Sequence, residues 1–165
     1  MPCTLVNKSP HSMRWLVVLV WLALWSRCSQ SQTWEQTSAP TGASWSSITS
    51  SSSGQYLIAA ADNGGAGIYK SADYGANWLK SSAYNSRDNW KAVISDASGQ
   101  YLGAVVFQGG ISMSADWGVT WTLVPILADW ESITSDASGQ YLAAVCSAYG
   151  DSYGNGEVYT SSDWG

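Results

Sequence analysis

The chain is poor in the side chains on which most enzyme chemistry and most nucleic-acid binding depend. Only 12% of its residues are charged, against a usual ~25%, and His11 is the only histidine. The cysteines are Cys3, Cys28 and Cys146, so a single cysteine follows residue 31. A histidine-based catalytic triad, a disulfide framework and a cysteine-based zinc site are therefore excluded from residues 32–165 of one chain.

Tryptophan is abundant by contrast, with eleven copies against a single phenylalanine. Hydrophobic residues make up 45% of the 165 residues, which is enough for the core of one domain. Trp and Tyr combine a large apolar area with a polar tip. That combination suits partly buried sheet faces and contact surfaces.

The first 31 residues have the composition of a secretory signal peptide. Lys8 and Arg14 precede an apolar run over residues 15–25, and a small polar stretch leads to Gln32. A membrane span needs ~20 apolar residues, so this run is too short for one. We predict cleavage between Arg27 and Gln32, export from the cell and no stable membrane span afterwards. An uncleaved signal anchor is the alternative.

Removal of this segment leaves a strongly acidic chain. All twelve acidic residues lie beyond residue 31, but only four of the seven basic ones do, which gives a net charge of −8. Nucleic acid and anionic membranes are therefore poor partners.

A repeat of 40–45 residues organises the rest of the chain. Ser-Gly-Gln-Tyr-Leu begins at Ser53, Ser98 and Ser138, and a tryptophan stands ten residues before each glutamine. Alternating polarity with Gly, Ser and Asn at the turns predicts strands throughout. A unit of this length has the size of a four-stranded propeller blade. The three units span about 45–78, 90–121 and 130–165.

Four short strands are predicted in each unit. Glycines 54, 99 and 139 close the turn after the first strand, where a positive φ is expected. Thr33-Trp34 matches Thr120-Trp121, so Trp34 is predicted to be the fourth strand of a further blade. The first strands are 46–50, 92–95 and 132–135; the second 58–61, 103–107 and 143–146; the third 67–71, 110–114 and 157–161; the fourth begin at Trp78 and Trp121.

The turn after each third strand carries a Ser-x-Asp-x-Gly motif. It is complete in residues 71–78 and 114–121, whereas a third copy begins at residue 161 and stops at Gly165. The motif resembles the Asp-box (BNR-type) repeat, Ser-x-Asp-x-Gly-x-Thr-Trp, from which the first copy departs only at Asn77. This resemblance implies an all-β, β-propeller fragment of about three four-stranded blades. It assigns structural roles to Ser71, Asp73, Gly75, Trp78, Ser114, Asp116, Gly118, Trp121, Ser161, Asp163 and Gly165.

Asp-box propellers include sialidases, sortilin-type receptors, certain glucanases and photosystem II assembly factors, so the resemblance implies architecture and not function. A sialidase-like site would need three arginines, but Arg87 is the only arginine beyond residue 31. A glucanase-like site needs two carboxylates, for which Asp88 and Asp129 are available. Their equivalent positions before Trp90 and Trp130 favour a role in linking blades. We therefore predict no catalytic residues.

Candidate ligand residues lie in the loops at the opposite end of the predicted blades, because the resemblance places the usual ligand site away from the Asp-box hairpins. These loops are rich in Tyr, Asn, Asp and Gly, which suits a sugar or a peptide. Asp151, Asn155 and Glu157 offer oxygen ligands, but their spacing fits no EF-hand loop, so we predict no metal and no cofactor. The candidate ligand-binding residues are Asp62, Asn63, Tyr84, Arg87, Tyr149, Asp151, Tyr153 and Asn155.

Three functions stay open at this point. The favoured one is a secreted binding module for a glycan or a protein, without catalysis. The alternatives are a piece of a sialidase- or glucanase-like glycoside hydrolase with its active site in further blades, and a scaffold similar to photosystem II assembly factors. Gly165 interrupts the third motif, which favours a piece of a longer propeller. Such a fragment is expected to self-associate through sheet edges and apolar blade faces.

Overall fold

Nine strands form the compact part of the chain. The computed structural model describes residues 33–62, 67–83, 89–147 and 156–165, and no helix occurs among them. The described part of the chain therefore offers no helical segment of the length and apolarity that a bilayer crossing needs. The chain divides into residues 1–36 and a compact unit of residues 37–165. The strands are β1 (Ser44–Ser50), β2 (Leu57–Asp62), β3 (Gly67–Ser71), β4 (Leu79–Lys80), β5 (Trp90–Ser95), β6 (Leu102–Ser114), β7 (Thr122–Ser135), β8 (Leu142–Cys146) and β9 (Val158–Ser161).

The first four strands form an antiparallel sheet in sequence order. The sequence of β2, Leu-Ile-Ala-Ala-Ala-Asp, is buried at its four central positions. Such a continuous apolar run is typical of a strand that is covered on both faces. A bulge shifts the β1–β2 register between Trp45 and Ser47. The same shift recurs at Trp90 and at Trp130 in the two later copies.

The long strand β6 folds back on itself. An unbroken strand rises ~3.3 Å per residue, which would place residues 103 and 113 about 33 Å apart. Instead, a Cβ added to Gly103 would lie 3.2 Å from Sδ of Met113. Gln108, with φ of 54°, and Gly109 lie where the chain reverses. The strand β6 therefore supplies both the second and the third strand of its unit.

The strand β7 belongs to two neighbouring units. Its residues 122–124 pair with residues 111–113 of β6, whereas its residues 130–135 pair with β8. We call β1–β4 blade 1, the group of β5, β6 and the start of β7 blade 2, and the group of the end of β7, β8 and β9 blade 3. The described residues give blades 1 and 2 four strands each and blade 3 three.

Two pairs of predicted strands are continuous in the structure: 103–107 and 110–114 form β6, and the strand from Trp121 and 132–135 form β7. The other strand ends lie within two residues of their predicted positions, except at Trp34. Trp34 was predicted to begin a fourth strand, and this prediction is wrong, because residues 33–43 contain no strand. A strand needs a neighbour for its backbone N–H and C=O groups. None of the described strands pairs with the segment around Trp34.

The turns between the first and second strands connect the three blades at one end, which we call the turn end. Gly54, Gly99 and Gly139 have φ of 74°, 85° and 76°, which confirms the predicted positive φ. The Ser52 N–H donates to the Ala97 carbonyl and the Ala97 N–H to the Ala137 carbonyl, each at 2.9 Å. A backbone ladder thus runs from blade to blade. The Ser-x-Asp-x-Gly turns lie at this end too, since Ser71 pairs with Leu57.

The hydrophobic core consists of two interfaces between successive blades. We call the side of a blade that faces the next blade its leading face, and the side that faces the preceding blade its trailing face. Between blades 1 and 2, the leading face contributes Ile58, Ala60 and Ile68, and the trailing face contributes Trp90, Val93, Leu102, Ala104 and Val106. Between blades 2 and 3, the leading face contributes Ala92, Ile94 and Val105, and the trailing face contributes Trp130, Ile133, Leu142, Ala144 and Cys146.

Replacement of Trp130 by alanine is expected to lower the free energy of unfolding by about 3–5 kcal/mol, the usual cost of removing a buried tryptophan. Trp130 is 0% exposed and its Nε1 donates to the Ile126 carbonyl. Trp34→Ala is the matched control at a side chain that is 99% exposed, and it should change stability by less than about 0.5 kcal/mol. Urea unfolding of the three proteins measures both. Equal losses in the two variants would contradict the core described above.

Candidate functional site

The Ser-x-Asp-x-Gly turns are braced from within by their own side chains. The Asp116 carboxylate accepts hydrogen bonds from the Thr120 hydroxyl at 2.6 Å, the Thr120 N–H at 2.8 Å and the Ser114 hydroxyl at 2.9 Å. The Gly118 N–H donates to Oγ of Ser114 at 3.0 Å. In the first turn Asp73 accepts from Asn77 in the same way. Each carboxylate thus closes a turn, and its oxygens accept hydrogen bonds from within that turn.

These hydrogen bonds favour the ionised form of the aspartates. The Thr120 hydroxyl and N–H lower the pKa of Asp116 from 3.8 to about 2. The Asn77 side chain, followed by its N–H, lowers the pKa of Asp73. Both carboxylates therefore carry a full negative charge at neutral pH, and their charge is directed into the turn.

Each turn holds an exposed aromatic residue in a left-handed backbone conformation. Tyr74, Trp117 and Trp164 have φ of 60°, 54° and 65°, and all three side chains are exposed. This conformation costs an L-residue roughly 1–2 kcal/mol, so the hydrogen-bonded turn must impose it. The result is one aromatic side chain per blade at the turn end. Unusual backbone of this kind is concentrated at functional sites.

Aromatic residues of neighbouring blades approach each other at the turn end. The rings of Tyr101 and Trp164 lie 6.2 Å apart between centroids, with 33° between their planes. Ring pairs with this spacing stabilise by offset or tilted contact. Tyr56 and Trp117 occupy the equivalent positions one blade earlier and line a common cleft.

A cleft of about 260 Å³ opens between blades 1 and 2 at the turn end. Its apolar lining consists of Tyr56, Leu57, Ile58, Leu79, Leu102 and Trp117, and its polar lining includes Lys70, Asp73 and Asn77. Between blades 2 and 3 the cavity is smaller, at about 100 Å³, and Ile111, Met113 and Tyr159 are among its lining. The first cleft is thus the larger of these two between-blade spaces.

The polar groups around the larger cleft are already hydrogen-bonded within the protein. Nζ of Lys70 donates to the Trp117 carbonyl at 3.1 Å, and this contact links the two blades. Nε2 of Gln55 donates to the Ala72 carbonyl at 3.2 Å. With the Asp73 carboxylate closing its own turn, the cleft mainly offers apolar contact to a ligand. We call this cleft, with Tyr56 and Trp117 as its aromatic walls, the aromatic cleft.

The ligand residues predicted from sequence were expected at the end of the blades opposite the turn end. Among them, the structure describes Asp62, which ends β2 and is half-buried. The other seven lie outside the described residues: Asn63, Tyr84, Arg87, Tyr149, Asp151, Tyr153 and Asn155. The predicted ligand site therefore stays a prediction. Within the described residues, no group of three or more His, Cys, Asp or Glu side chains could hold a metal ion.

Asp129 lies at this opposite end, at the boundary between blades 2 and 3. Its carbonyl accepts from the Ser147 N–H at 2.9 Å, and it pairs with Phe107 across β6 and β7. The side chain is buried, and Oδ1 has no hydrogen-bond partner among the described residues. Nε1 of Trp90 is likewise buried and unpaired there. The backbone of Asp129 thus links the blades, as its repeat position suggests.

Sequence reasoning missed the aromatic cleft. The usable pattern was an aromatic residue at the fourth position of all three Ser-x-Asp-x-Gly copies, namely Tyr74, Trp117 and Trp164. Three aromatics at a position where the backbone favours glycine or asparagine are difficult to explain by turn formation alone. Their meeting with Tyr56 and Tyr101 depends on how the blades pack.

Comparison with known proteins supports the fold alone. No protein-family model matches the chain, and no curated protein is recognisably similar to it. Among solved structures, YCF48 bound to D1 peptide is similar with a TM-score of 0.60 and 15% identity, over 76% of this chain and 39% of that one. The GH74 xyloglucanase from Xanthomonas campestris has a TM-score of 0.60 and 19% identity, over 81% of this chain and 19% of that one. The nidogen/laminin complex has a TM-score of 0.54 and 11% identity, over 72% of this chain and 44% of that one.

This chain is therefore all-β and forms part of a β-propeller. It spans less than half the length of each of these similar structures. Their identities are too low to transfer an activity, a ligand or a partner.

The hydrogen bonds to the Asp116 carboxylate predict how the stability of the fold changes at acid pH. The folded pKa of about 2 lies below the ordinary 3.8, so the charge stabilises the fold fully above about pH 3.8 and this contribution is lost as the pH falls towards 2. Asp116→Asn should therefore be less stable than the parent protein at pH 5, and the gap should close towards pH 2. Urea midpoints across this pH range measure it. Glu131→Gln, at an exposed carboxylate on β7, is the control. A gap that stays constant with pH would show that the charge of Asp116 does not stabilise the turn.

Proposed function

We propose that this chain is a non-catalytic binding module that recognises a protein segment through the aromatic cleft. The observation that carries the proposal is the cleft itself, which exposed Trp117 of blade 2 and Tyr56 of blade 1 both line. Binding pockets are concave and mostly apolar, with few polar groups. Trp and Tyr are also the residues that most often dominate protein interfaces. A volume of about 260 Å³ suits one or two apolar side chains of a partner.

The occupied polar groups favour a protein side chain over a sugar. A sugar ring needs hydrogen-bond partners for its hydroxyls, because a buried hydroxyl without one is costly. Around the cleft, the Asp73 carboxylate, Lys70 and the Gln55 amide already have partners within the chain. An apolar side chain against Trp117 requires no such partner. The candidate residues at the opposite end, from Asp62 to Asn155, stay a separate prediction.

Two of the similar structures accord with a protein ligand. One is YCF48 bound to D1 peptide, and another is the nidogen/laminin complex. They show that propellers of this architecture are found in complexes with polypeptide. The similarity to GH74 enzymes supports an enzyme less well, because glycoside hydrolysis needs two carboxylates. Asp73 is the one carboxylate in the lining of the aromatic cleft, and it closes its own turn.

Replacing Trp117 by alanine is expected to abolish peptide selection by the cleft. Random peptides displayed on phage should yield ligands that share an apolar side chain, and their affinity for Trp117→Ala should fall by about ten-fold or more. Trp34→Ala removes an equally large, exposed ring elsewhere and should leave affinity unchanged. Fluorescence anisotropy with the selected peptides measures both.

Two outcomes would overturn this proposal. Selected peptides that bind Trp117→Ala as tightly as the parent protein would place the site elsewhere, for instance at the loops around Asp62. A glycan array that gives ligands where the peptide library gives none, with binding lost in Trp117→Ala, would assign the cleft to sugars.

We further propose that the chain is exported from the cell. The support is the basic start at Lys8 and Arg14, the apolar run over residues 15–25 and the small polar stretch that follows. Export also fits a chain that presents apolar and aromatic surface to partners outside the cell.

Expression from Met1 in a secretory host should release a product whose first residue lies between residues 28 and 32. Val18→Asp places a charge inside the apolar run and should keep the product with the cells. Val6→Asp makes the same change outside the run and should not. N-terminal sequencing and the distribution between medium and cells measure the result. Export of the Val18→Asp product at the normal level would contradict the signal peptide.

A further inference from the structure

The turn end of the blades is strongly acidic. Among the described lysines, Lys70 lies at this end, where its Nζ contacts the Trp117 carbonyl. Lys80 and Lys91 lie towards the opposite end, because Lys80 approaches Gly67 at the start of β3 and Lys91 is the second residue of β5. One lysine against five aspartates gives the turn end a net charge of −4. The five are Asp73, Asp96, Asp116, Asp136 and Asp163.

These aspartates keep their charge in the folded protein. The Ser138 hydroxyl donates to the Asp136 carboxylate at 2.7 Å and lowers its pKa. Hydrogen bonds lower the pKa values of Asp73 and Asp116 for the same reason. Neutral N–H and O–H donors stabilise a carboxylate without cancelling its charge. The electric field of these groups therefore extends into the solvent around the turn end.

The lining of the aromatic cleft, by contrast, is uncharged overall. Lys70 and Asp73 are its charged members, and their charges cancel. Both already have hydrogen-bond partners within the chain. A charged side chain that entered the cleft would lose its water without gaining a free partner, which is costly. The cleft itself therefore favours an uncharged, apolar side chain.

Carboxylates nevertheless border both aromatic walls of the cleft. Asp116 directly precedes Trp117, the wall on blade 2. The turn that contains Asp96 lies against Tyr56, the wall on blade 1, since a Cβ added to Gly99 would lie 2.8 Å from Cβ of Tyr56. The residues on either side of an apolar side chain in the cleft would thus meet a negatively charged surface.

The exposed rings at the turn end favour cations as well. Tyr74, Trp117 and Trp164 are all exposed there. A lysine or arginine over the face of such a ring is attracted by the negative charge on that face. A negatively charged surface also raises the local concentration of cations. Carboxylates and rings therefore favour the same kind of flanking side chain.

From this distribution of charge we infer that the aromatic cleft recognises a basic segment, in which one apolar side chain enters the cleft and lysine or arginine residues flank it. The inference rests on the proposed function, because it names the chemistry of the protein segment that the cleft binds. A polypeptide supplies an apolar group and cations on neighbouring side chains. An acidic segment is disfavoured, because its carboxylates would meet those of Asp73 and Asp116.

Synthetic peptides are the ligands for the test. Three pools share a central position filled by Leu, Ile, Phe or Trp, and the two residues on each side of it are lysine, glutamine or glutamate. At low ionic strength the lysine pool should bind the full chain about ten-fold or more tightly than the glutamine pool, and the glutamate pool should bind most weakly. Salt at about 1 M, where the screening length is about 3 Å, should remove most of this difference. Fluorescence anisotropy measures each affinity.

Substitutions at Ala115 test the charge on the side of the protein. Ala115 is exposed and directly precedes Asp116. Ala115→Lys should weaken binding of the lysine pool by about two-fold to five-fold, Ala115→Glu should strengthen it, and the uncharged Ala115→Gln should leave it unchanged. Leu127→Lys places the same positive charge at an exposed position next to Ala128, at the opposite end, and should have no effect. Circular dichroism verifies that each variant is folded.

Trp117→Ala separates this inference from the proposed function. Binding of the lysine pool that is lost in Trp117→Ala supports both. Glutamine or glutamate pools that bind as tightly as the lysine pool, and lose binding in Trp117→Ala, would overturn the inference and leave the proposed function standing. Lysine-pool binding that survives in Trp117→Ala would contradict the inference, because the charge would then act without the cleft. Binding of no pool would exclude a basic segment, whereas the phage selection decides whether the cleft takes another peptide.

Discussion

Every blade of this chain is a sheet that is apolar on both faces, and both faces must be covered by another sheet. The requirement follows from the second strands of blades 1 and 2, whose buried runs leave no side for water. It explains why Ala60 and Ala104 are small, since two sheets meet over them. Each of the two interfaces also contains a fully buried tryptophan of the trailing face, Trp90 or Trp130. A blade that covers one apolar face leaves another apolar face of its own, which needs a further blade. This explains why the sequence repeats one unit.

The turn end shows how one set of interactions serves both stability and recognition. The ionised Asp116 holds Thr120 and Ser114 in place, and the closed turn in turn imposes the left-handed backbone at Trp117. The side chain so placed forms a wall of the aromatic cleft. A loss of the Asp116 charge at low pH therefore acts on the fold and on the cleft together. The Ser, Asp and Gly of the motif are structural, and the aromatic residue between Asp and Gly is the one exposed to a partner.

Much of the fold could be predicted because the strands and turns of each repeat depend on residues that are close in sequence. Glycine 54 and its two counterparts, the tryptophan before each first strand and the Ser-x-Asp-x-Gly turns each depend on near neighbours in sequence. What could not be predicted depends on contacts across blades. The pairing of Tyr101 with Trp164 joins residues 63 positions apart. The prediction of a strand at Trp34 was wrong for a related reason. The local sequence matches a strand, but no described strand pairs with it.

The aromatic cleft depends on the boundary between two blades and not on either blade alone. Tyr56 follows glutamine in blade 1 and Trp117 is the turn aromatic of blade 2, so the lining of the cleft needs both blades in place. The hydrogen bond from Nζ of Lys70 to the Trp117 carbonyl crosses the same boundary. A ligand that occupies the cleft binds the packed blades and not the separated ones, so by mass action it stabilises their packing. Stability and recognition are linked because the same boundary between blades serves both.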